Sequence, residues 1–293
     1  MKATTRFRRM LREPGVIVAP GAYDCLSAKL IEAAGFNCCY MTGSGTAAAR
    51  LGAPDVGLTT LSEMVGNARA IAQCIGIPLI ADADTGFGNA INVIRTVREY
   101  ENAGVAAIHI EDQVMPKKCG HFAGKELVSR EEYIGKIRAA AEARRDPDFV
   151  IIARTDAIAV AGLDEAFVRA EAAYEAGAAV LFIESPESWD HVRAMCERFA
   201  GRAPLLANVG NNEGKMPLLT VPEAERLGYK IAIFPWAVGI NVAAKAIADA
   251  LAVLKETGST EGLEDRQYGW RNLTTLLGLP QVYDLEQRYA VQV

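Results

Sequence analysis

Eight short runs rich in β-formers recur along this 293-residue chain, at 16–20, 38–42, 78–82, 106–110, 150–154, 180–184, 205–209 and 231–235. Several are almost continuous in apolar residues, the pattern of parallel strands covered on both faces. Between them apolar residues return every three or four positions, most clearly over 89–103, 130–144, 164–176 and 241–255, as amphipathic helices require. Strand followed by helix, eight times over, predicts an α/β fold of the (β/α)8 TIM-type barrel kind. Gly35, Gly104 and Gly177 each stand between a helical segment and the next run, where a left-handed C-cap is expected. No linker or low-complexity stretch interrupts the pattern. One domain is therefore expected over 1–293, the barrel reaching to about 257 and a helical extension occupying about 258–293. That tail carries Trp270, Leu276, Leu277, Leu279 and Tyr283, and packs either on a neighbouring subunit or on its own barrel.

With 51% hydrophobic residues, a chain of this size buries roughly 75% of its unfolded surface and needs no disulfide or structural metal to fold. Its six cysteines, at 25, 38, 39, 74, 119 and 196, show no Cys-x-x-Cys spacing, so a reducing cytoplasm is the expected compartment. The opening MKATTRFRRMLREPG is basic without the apolar run of a signal peptide, and no later segment is apolar long enough to span a bilayer. The net charge of −5, with basic residues scattered, implies neither nucleic acid nor an anionic membrane as partner. A small acidic substrate would need local positive charge instead.

In a barrel of this kind the chemistry sits at the C-terminal ends of the strands. Charged and polar residues fall there on five consecutive runs: Asp82 and Asp84, Glu111 and Asp112, Arg154 and Asp156, Glu184, then Asn208. Asp82-Ala83-Asp84 places two carboxylates on one side if the segment is still extended, and oxygen ligands of this sort suit Mg²⁺. A turn or helix-capping role for Asp84 is the alternative; Glu111 adds a third carboxylate and favours metal. Within EDQVMPKKCGH, Cys119 lies between Lys117-Lys118 and His121 in a glycine-containing loop, surroundings expected to lower its thiol pKa and ready it for proton transfer. Cys38 and Cys74 sit in apolar runs, as structural cysteines do. Zinc is disfavoured because no second Cys or His pair stands nearby in sequence. A cysteine hydrolase using His109 or His121 lacks a family signature. Residues 42–48 match the dinucleotide pattern Gly-x-Gly-x-x-Ala only superficially, since no acidic residue ends a second strand about twenty residues on. Their amides and hydroxyls can hold a carboxylate instead, or form a plain glycine turn. Arg154 offers a bidentate partner for a carboxylate or emerging carbonyl.

The segments TGSGTAAARLGAPD, ADADTGFGN, HIEDQ, KKCGH, ARTDA and FIESP, in that order, resemble the isocitrate lyase and phosphoenolpyruvate mutase superfamily over nearly the whole chain. KKCGH resembles its lyase branch, which includes 2-methylisocitrate lyase, 2,3-dimethylmalate lyase and oxaloacetate hydrolases; phosphonomutases lack that cysteine. The resemblance implies a mobile loop around Cys119 and a last helix swapped between subunits of a homotetramer. It implies Asp84 as direct Mg²⁺ ligand (Mn²⁺ being possible) and Asp82, Asp55 and Glu111 as holders of metal-bound water. Tyr40, Thr42, Gly43 and Ser44 match contacts to the keto-acid half of the substrate. Cys119 matches the catalytic acid/base, and Lys117, Gly120, His121, Arg154, Glu184 and Asn208 match the remaining site residues.

The implied reaction is a metal-assisted retro-aldol cleavage of a 2-hydroxy dicarboxylic acid to an α-keto acid, Cys119 protonating the leaving carbanion. Tyr40, or a carboxylate acting through water, would take the hydroxyl proton. Methylisocitrate lyases carry a Thr-Glu-Phe-Gly-type segment and an arginine where this chain has 208–215 and Ile240; oxaloacetate hydrolases carry a serine where it has Pro235. A 2-alkylmalate such as 2,3-dimethylmalate is left as the expected substrate. The rivals are 2-methylisocitrate cleavage, oxaloacetate hydrolysis or decarboxylation, carboxyphosphonoenolpyruvate-type phosphonomutation, and a non-catalytic barrel that binds a keto acid.

Overall fold

The computed structural model describes residues 1–210 and 217–290. Eight strands, β1 (Ile17–Ala22), β2 (Cys39–Met41), β3 (Leu79–Asp82), β4 (Ala107–Glu111), β5 (Val150–Thr155), β6 (Val180–Ile183), β7 (Leu206–Asn208) and β8 (Ile231–Phe234), pair in parallel in the order β6-β5-β4-β3-β2-β1-β8-β7. The two ends of that order meet at a bridge between Leu181 and Leu205, so the sheet nearly closes on itself as the expected barrel. Each strand lies within two residues of a run read from the sequence. The helices are α1 (Ala3–Arg12), α2 (Cys25–Ala33), α3 (Gly43–Leu51), α4 (Leu61–Cys74), α5 (Ala90–Ala103), α6 (Arg130–Ala143), α7 (Ile158–Ala161), α8 (Leu163–Glu175), α9 (Trp189–Phe199), α10 (Val221–Leu227), α11 (Ile240–Thr257), α12 (Trp270–Leu276) and α13 (Leu279–Tyr289).

Two apolar layers hold these elements together. Inside the barrel, Ile17, Ala19, Ile80, Ile152, Val180 and Ile231 pack with Phe7 of α1, which lies across the N-terminal mouth and closes it. Between strands and helices a larger layer collects the helix faces. In α5 the buried Val93, Val97, Tyr100 and Ala103 recur at helical spacing, each large side chain contributing roughly 1.5–3 kcal/mol by leaving water. Asn89 caps that helix, its side chain accepting from the amides of Ile91 and Asn92. Two of these helices also brace the opposite, C-terminal mouth: Tyr100 donates its hydroxyl to the Asp82 carbonyl at 2.7 Å, and Tyr133 of α6 to that of Arg154 at 2.8 Å.

The last three helices behave differently. None of α11, α12 or α13 has a buried residue; Trp270 is 79% exposed and Ile247 60%. No described helix is long and apolar enough to cross a membrane. A cleft of about 490 Å³ between α1, the start of β1 and Lys230 opens at the N-terminal end of the strands, away from the charged rim.

Candidate active site

The strand register sets the charged side chains beside one another. Asp82 pairs with His109, Glu111 with Arg154, and Arg154 with Phe182, so neighbouring strands raise them to a common level. Asp84 differs from the extended geometry considered above. β3 ends at Asp82, and Asp84 has φ of 46°, a left-handed conformation few non-glycine residues adopt. Its amide donates to Asp82 Oδ1 and its carbonyl accepts from the Glu111 amide, each at 2.9 Å. A turn, and not strand alternation, brings the two aspartates together.

On this side of the rim Lys117 Nζ lies 2.7 Å from Asp55 Oδ1 and 2.8 Å from Asp84 Oδ1. Lys117 is buried, yet Asp84, Glu111, Asp82 and Asp55 outweigh the cost of burial and hold its ammonium well above the usual lysine range. The carboxylates of Asp84 and Glu111 are buried with no directed hydrogen-bond partner. Burial pushes Asp84 up to about 6 and Glu111 well above an ordinary glutamate. Burial acts on Asp82 too, but His109, Lys117 and Arg154 hold it below its ordinary value. Asp55, Asp82, Asp84, Glu111, Asp156 and Glu184 outnumber Lys117, Lys125 and Arg154, a balance that favours one more cation. Among the described residues no three acidic, imidazole or thiol side chains form a full ligand shell. A hard cation takes one or two carboxylates and otherwise water or substrate, and Asp84 Oδ2 and Glu111 Oε1, buried and engaged by neither a hydrogen bond nor an ion pair, fit such a cation.

Arg154 organises the other side. Its Nη1 lies 3.2 Å from Glu111 Oε2, while Nε and Nη2 reach the two Asp156 oxygens at 2.9 and 3.1 Å. The guanidinium also lies over the Phe182 ring, 5.2 Å from its centroid. Glu184 accepts from Asn208 Nδ2 at 3.3 Å. Tyr40 meets His109 Nε2 at 2.8 Å and stacks on its ring. Burial lowers the imidazole to about 4 and raises the phenol well above 10, so both are neutral at neutral pH.

Cys119 corrects the sequence expectation. Its thiol is pushed up to about 11, not lowered. Burial dominates, and the His121 amide and the charges of Lys117 and Arg154 only partly oppose it. Lys117 is already engaged with Asp55 and Asp84, and Lys118 turns outward to the Gly124 carbonyl at 2.6 Å. The thiol therefore stays protonated, the state a proton donor needs. The 42–48 segment is not a plain turn, because α3 starts at Gly43 with Thr42 as its cap. A Cβ on Gly43 would lie 2.3 Å from Asp82 Oδ2, so only glycine lets this helix start approach the aspartate.

These groups enclose a cavity of about 30 Å³. Tyr40, Thr42, Ser44, Asp55, Asp82, Cys119, Gly120, His121, Arg154, Glu184 and Asn208 line it. Asp84, Glu111 and Lys117 lie in the charged layer that adjoins it through Asp55 and Arg154. Phe182, Ile233, Pro235 and Trp236 complete the wall. Of these, Phe182 was hidden in the sequence among strand residues, and Trp236 had no motif around it. Lys125 was also unread; its five-residue distance from Gly120 in a glycine-bounded loop was the available signal. Of the segment 208–215, residues Asn211, Asn212, Glu213, Gly214 and Lys215 lie outside the described residues.

A family model described as phosphoenolpyruvate phosphomutase matches residues 7–256. The chain is 50% identical over 290 residues to 2,3-dimethylmalate lyase of Eubacterium barkeri, covering 99% of each. The solved structure of oxaloacetate acetylhydrolase with the inhibitor 3,3-difluorooxalacetate superposes with a TM-score of 0.94 at 40% identity, covering 100% of this chain and 98% of that one. Phosphonopyruvate hydrolase with oxalate and Mg²⁺ does so with a TM-score of 0.88 at 35% identity, covering 99% and 100%. Matched along most of its length by one family model and half identical to a full-length relative, the chain belongs to the phosphoenolpyruvate phosphomutase family, in the superfamily shared with isocitrate lyase.

Proposed function

We propose that this protein is a carbon–carbon lyase that cleaves a 2-alkylmalate, such as 2,3-dimethylmalate, to an α-keto acid and a carboxylic acid. The observation that carries the reading is the buried Cys119 side chain sharing one cavity with Arg154 and a carboxylate-rich rim, where burial raises the thiol pKa and favours the S–H form. The half-identical dimethylmalate lyase supports it. Asp84 is the proposed direct ligand of a divalent cation, magnesium or alternatively manganese, with Asp82, Asp55 and Glu111 holding its waters. When bound, that cation supplies Lewis-acid polarisation of the hydroxy-acid oxygens.

The chain's own groups do the rest. Thr42, Ser44 and the α3 amides from Gly43 onward receive the carboxylate of the keto-acid half, and Arg154 pairs with its oxygens. Gly120, His121, Glu184 and Asn208 border the other half. Loss of the hydroxyl proton to a rim carboxylate, directly or through water, lets the C2–C3 bond break; Tyr40, its phenol kept protonated by burial and hydrogen-bonded to His109 Nε2, is less suited to take that proton. The electron pair passes onto C3 and its carboxylate, and the Cys119 S–H delivers the proton there. For 2,3-dimethylmalate the products are pyruvate and propionate. A cavity of about 30 Å³ holds about one water, so the Cys119 loop must open to admit substrate.

The protein is further proposed to be a homotetramer of single-domain chains, with α11–α13 docking on a neighbour. Val242, Ile247, Leu251 and Leu254 are exposed along α11, and burying each is worth on the order of 1.5–3 kcal/mol, enough to drive association. All six cysteines are free, which fits the cytoplasm. The deciding assay follows keto-acid release, with and without Mg²⁺, from 2,3-dimethylmalate, 2-methylisocitrate and oxaloacetate. Metal-dependent pyruvate from dimethylmalate is expected, and release from oxaloacetate or methylisocitrate alone would overturn the substrate assignment.

A further inference from the structure

Lys125 shares a loop with Cys119, yet no step above uses it. Its buried Nζ donates to the Gly120 carbonyl at 2.5 Å and to Asp156 Oδ1 at 3.0 Å. Asp156 is the carboxylate that holds Arg154 bidentately, and its own amide donates to Asp112 at 2.9 Å. Gly120 directly follows Cys119, and a Cβ there would come within 2.9 Å of Arg154 Nη2. Lysine is almost never this buried unless paired, and Asp156, whose other partner Arg154 also pairs with Glu111, supplies the pairing, but the pairing does not account for the second bond. What Lys125 adds is the bond to the backbone beside the thiol.

The first half of the loop has its own anchors. Lys117 grips Asp55 and Asp84, Gln113 and Lys118 bond reciprocally at 2.9 Å, and the Cys119 amide donates to the Asp55 carbonyl at 3.0 Å. The second half has, besides Lys125, a turn bond from the Phe122 amide to the Cys119 carbonyl at 2.8 Å, the Glu126 carbonyl accepting from the Val114 amide at 2.8 Å, a 3.3 Å contact from Ser185 Oγ to Gly120 and the solvent-exposed bond of Lys118 to Gly124; of these, only the Ser185 contact ties Gly120 to the barrel wall. We propose that Lys125 is a positioning residue: by bridging the Gly120 carbonyl to Asp156, it couples the seating of the Cys119 thiol to the orientation of Arg154. Proton donor and carboxylate clamp are then aligned by one ammonium. The inference rests on the reading of Cys119 as the donor.

The test uses Lys125→Met and Lys125→Arg in the full chain with Mg²⁺. Two quantities are measured: the kinetics of 2,3-dimethylmalate cleavage, and the rate of Cys119 alkylation by iodoacetamide without substrate, read by peptide mass spectrometry. Lys125→Met should lose roughly 10- to 100-fold in kcat with much less change in KM. Its Cys119 should alkylate about tenfold faster as the loop opens locally, and Lys125→Arg should recover most of both. Unchanged kcat or unchanged alkylation in Lys125→Met overturns the proposal, as does equal loss in both variants in step with a lowered thermal midpoint. If Lys125→Met does not fold, Lys125→Gln takes its place in both measurements, and the same outcomes uphold or overturn the coupling. Alkylation needs no turnover, so the coupling stands or falls separately from the assignment of Cys119 as proton donor, which fails if Cys119→Ser stays active.

Discussion

Asp84 and Glu111 are carboxylates sealed away from solvent without directed hydrogen bonds, while Trp270 and Ile247 are large apolar side chains left in it. The strand-end rim and the C-terminal helices thus depart from the usual distribution of residues in opposite directions. Charge is buried in one and grease is exposed in the other. Each departure has a physical cost: taking the carboxylates out of water is only partly repaid by Lys117 and Arg154, and the exposed side chains of α11 forgo the gain of burial. The difference teaches what each region is built to meet. A rim with excess negative charge calls for a cation and a polar substrate, and an uncovered apolar helix calls for protein. The core face of α5, where Val93, Val97 and Tyr100 are inside and the capping Asn89 is outside, shows the ordinary distribution.

Perturbing each region separately should break one function and spare the other. The largest effect is expected from Cys119→Ser, which should reduce turnover roughly 100- to 10,000-fold, the usual worth of a positioned acid, while circular dichroism, divalent-ion binding and oligomer size stay as in the wild type. Next is the pH response of the same thiol. With its pKa raised to about 11, it remains protonated below that value and becomes a nucleophile only as pH approaches it. Cys119 alkylation should climb about tenfold per pH unit from 7 to 9 with no plateau; a plateau near pH 8 would show that the lysines, not burial, govern the thiol. Leu251→Asp in α11 comes third. It should weaken assembly about 30-fold, or about 2 kcal/mol, seen as smaller particles by light scattering on dilution, with little direct effect on the cavity. A wild-type chain that is monomeric at all concentrations would dissolve the contrast between the two regions. The smallest effect belongs to a control outside both, Gly35→Ala. Its φ of 86° should cost about 1–2 kcal/mol and lower the thermal midpoint, leaving activity and assembly unchanged.

Much of this was legible before any coordinates. The eight runs needed only a local count of apolar residues, and each reappears as a strand. Asp82, Glu111, Arg154 and Glu184 could be placed together because a barrel delivers every strand end to one mouth. Gly35, Gly104 and Gly177, read as left-handed caps, have positive φ values of 86°, 88° and 110°. Cys119 was found by its setting between charged residues, but the direction of its pKa shift was misjudged, because neighbours in sequence were taken for neighbours in effect. Lys117 spends its charge on Asp55, sixty-two positions away, and Lys118 faces solvent.

The boundary follows from the range of the forces involved. Periodicity, capping and motif spacing act over a few residues, so the chain by itself determined the alternation of strands and helices, the polar rim and its principal residue types. Desolvation and ion pairing depend on whatever the fold brings near. Only the tertiary structure could therefore decide that the thiol is buried, that Asp84 turns left-handed to meet Asp82, that Lys125 joins Gly120 to Asp156, and that the last three helices bury no side chain.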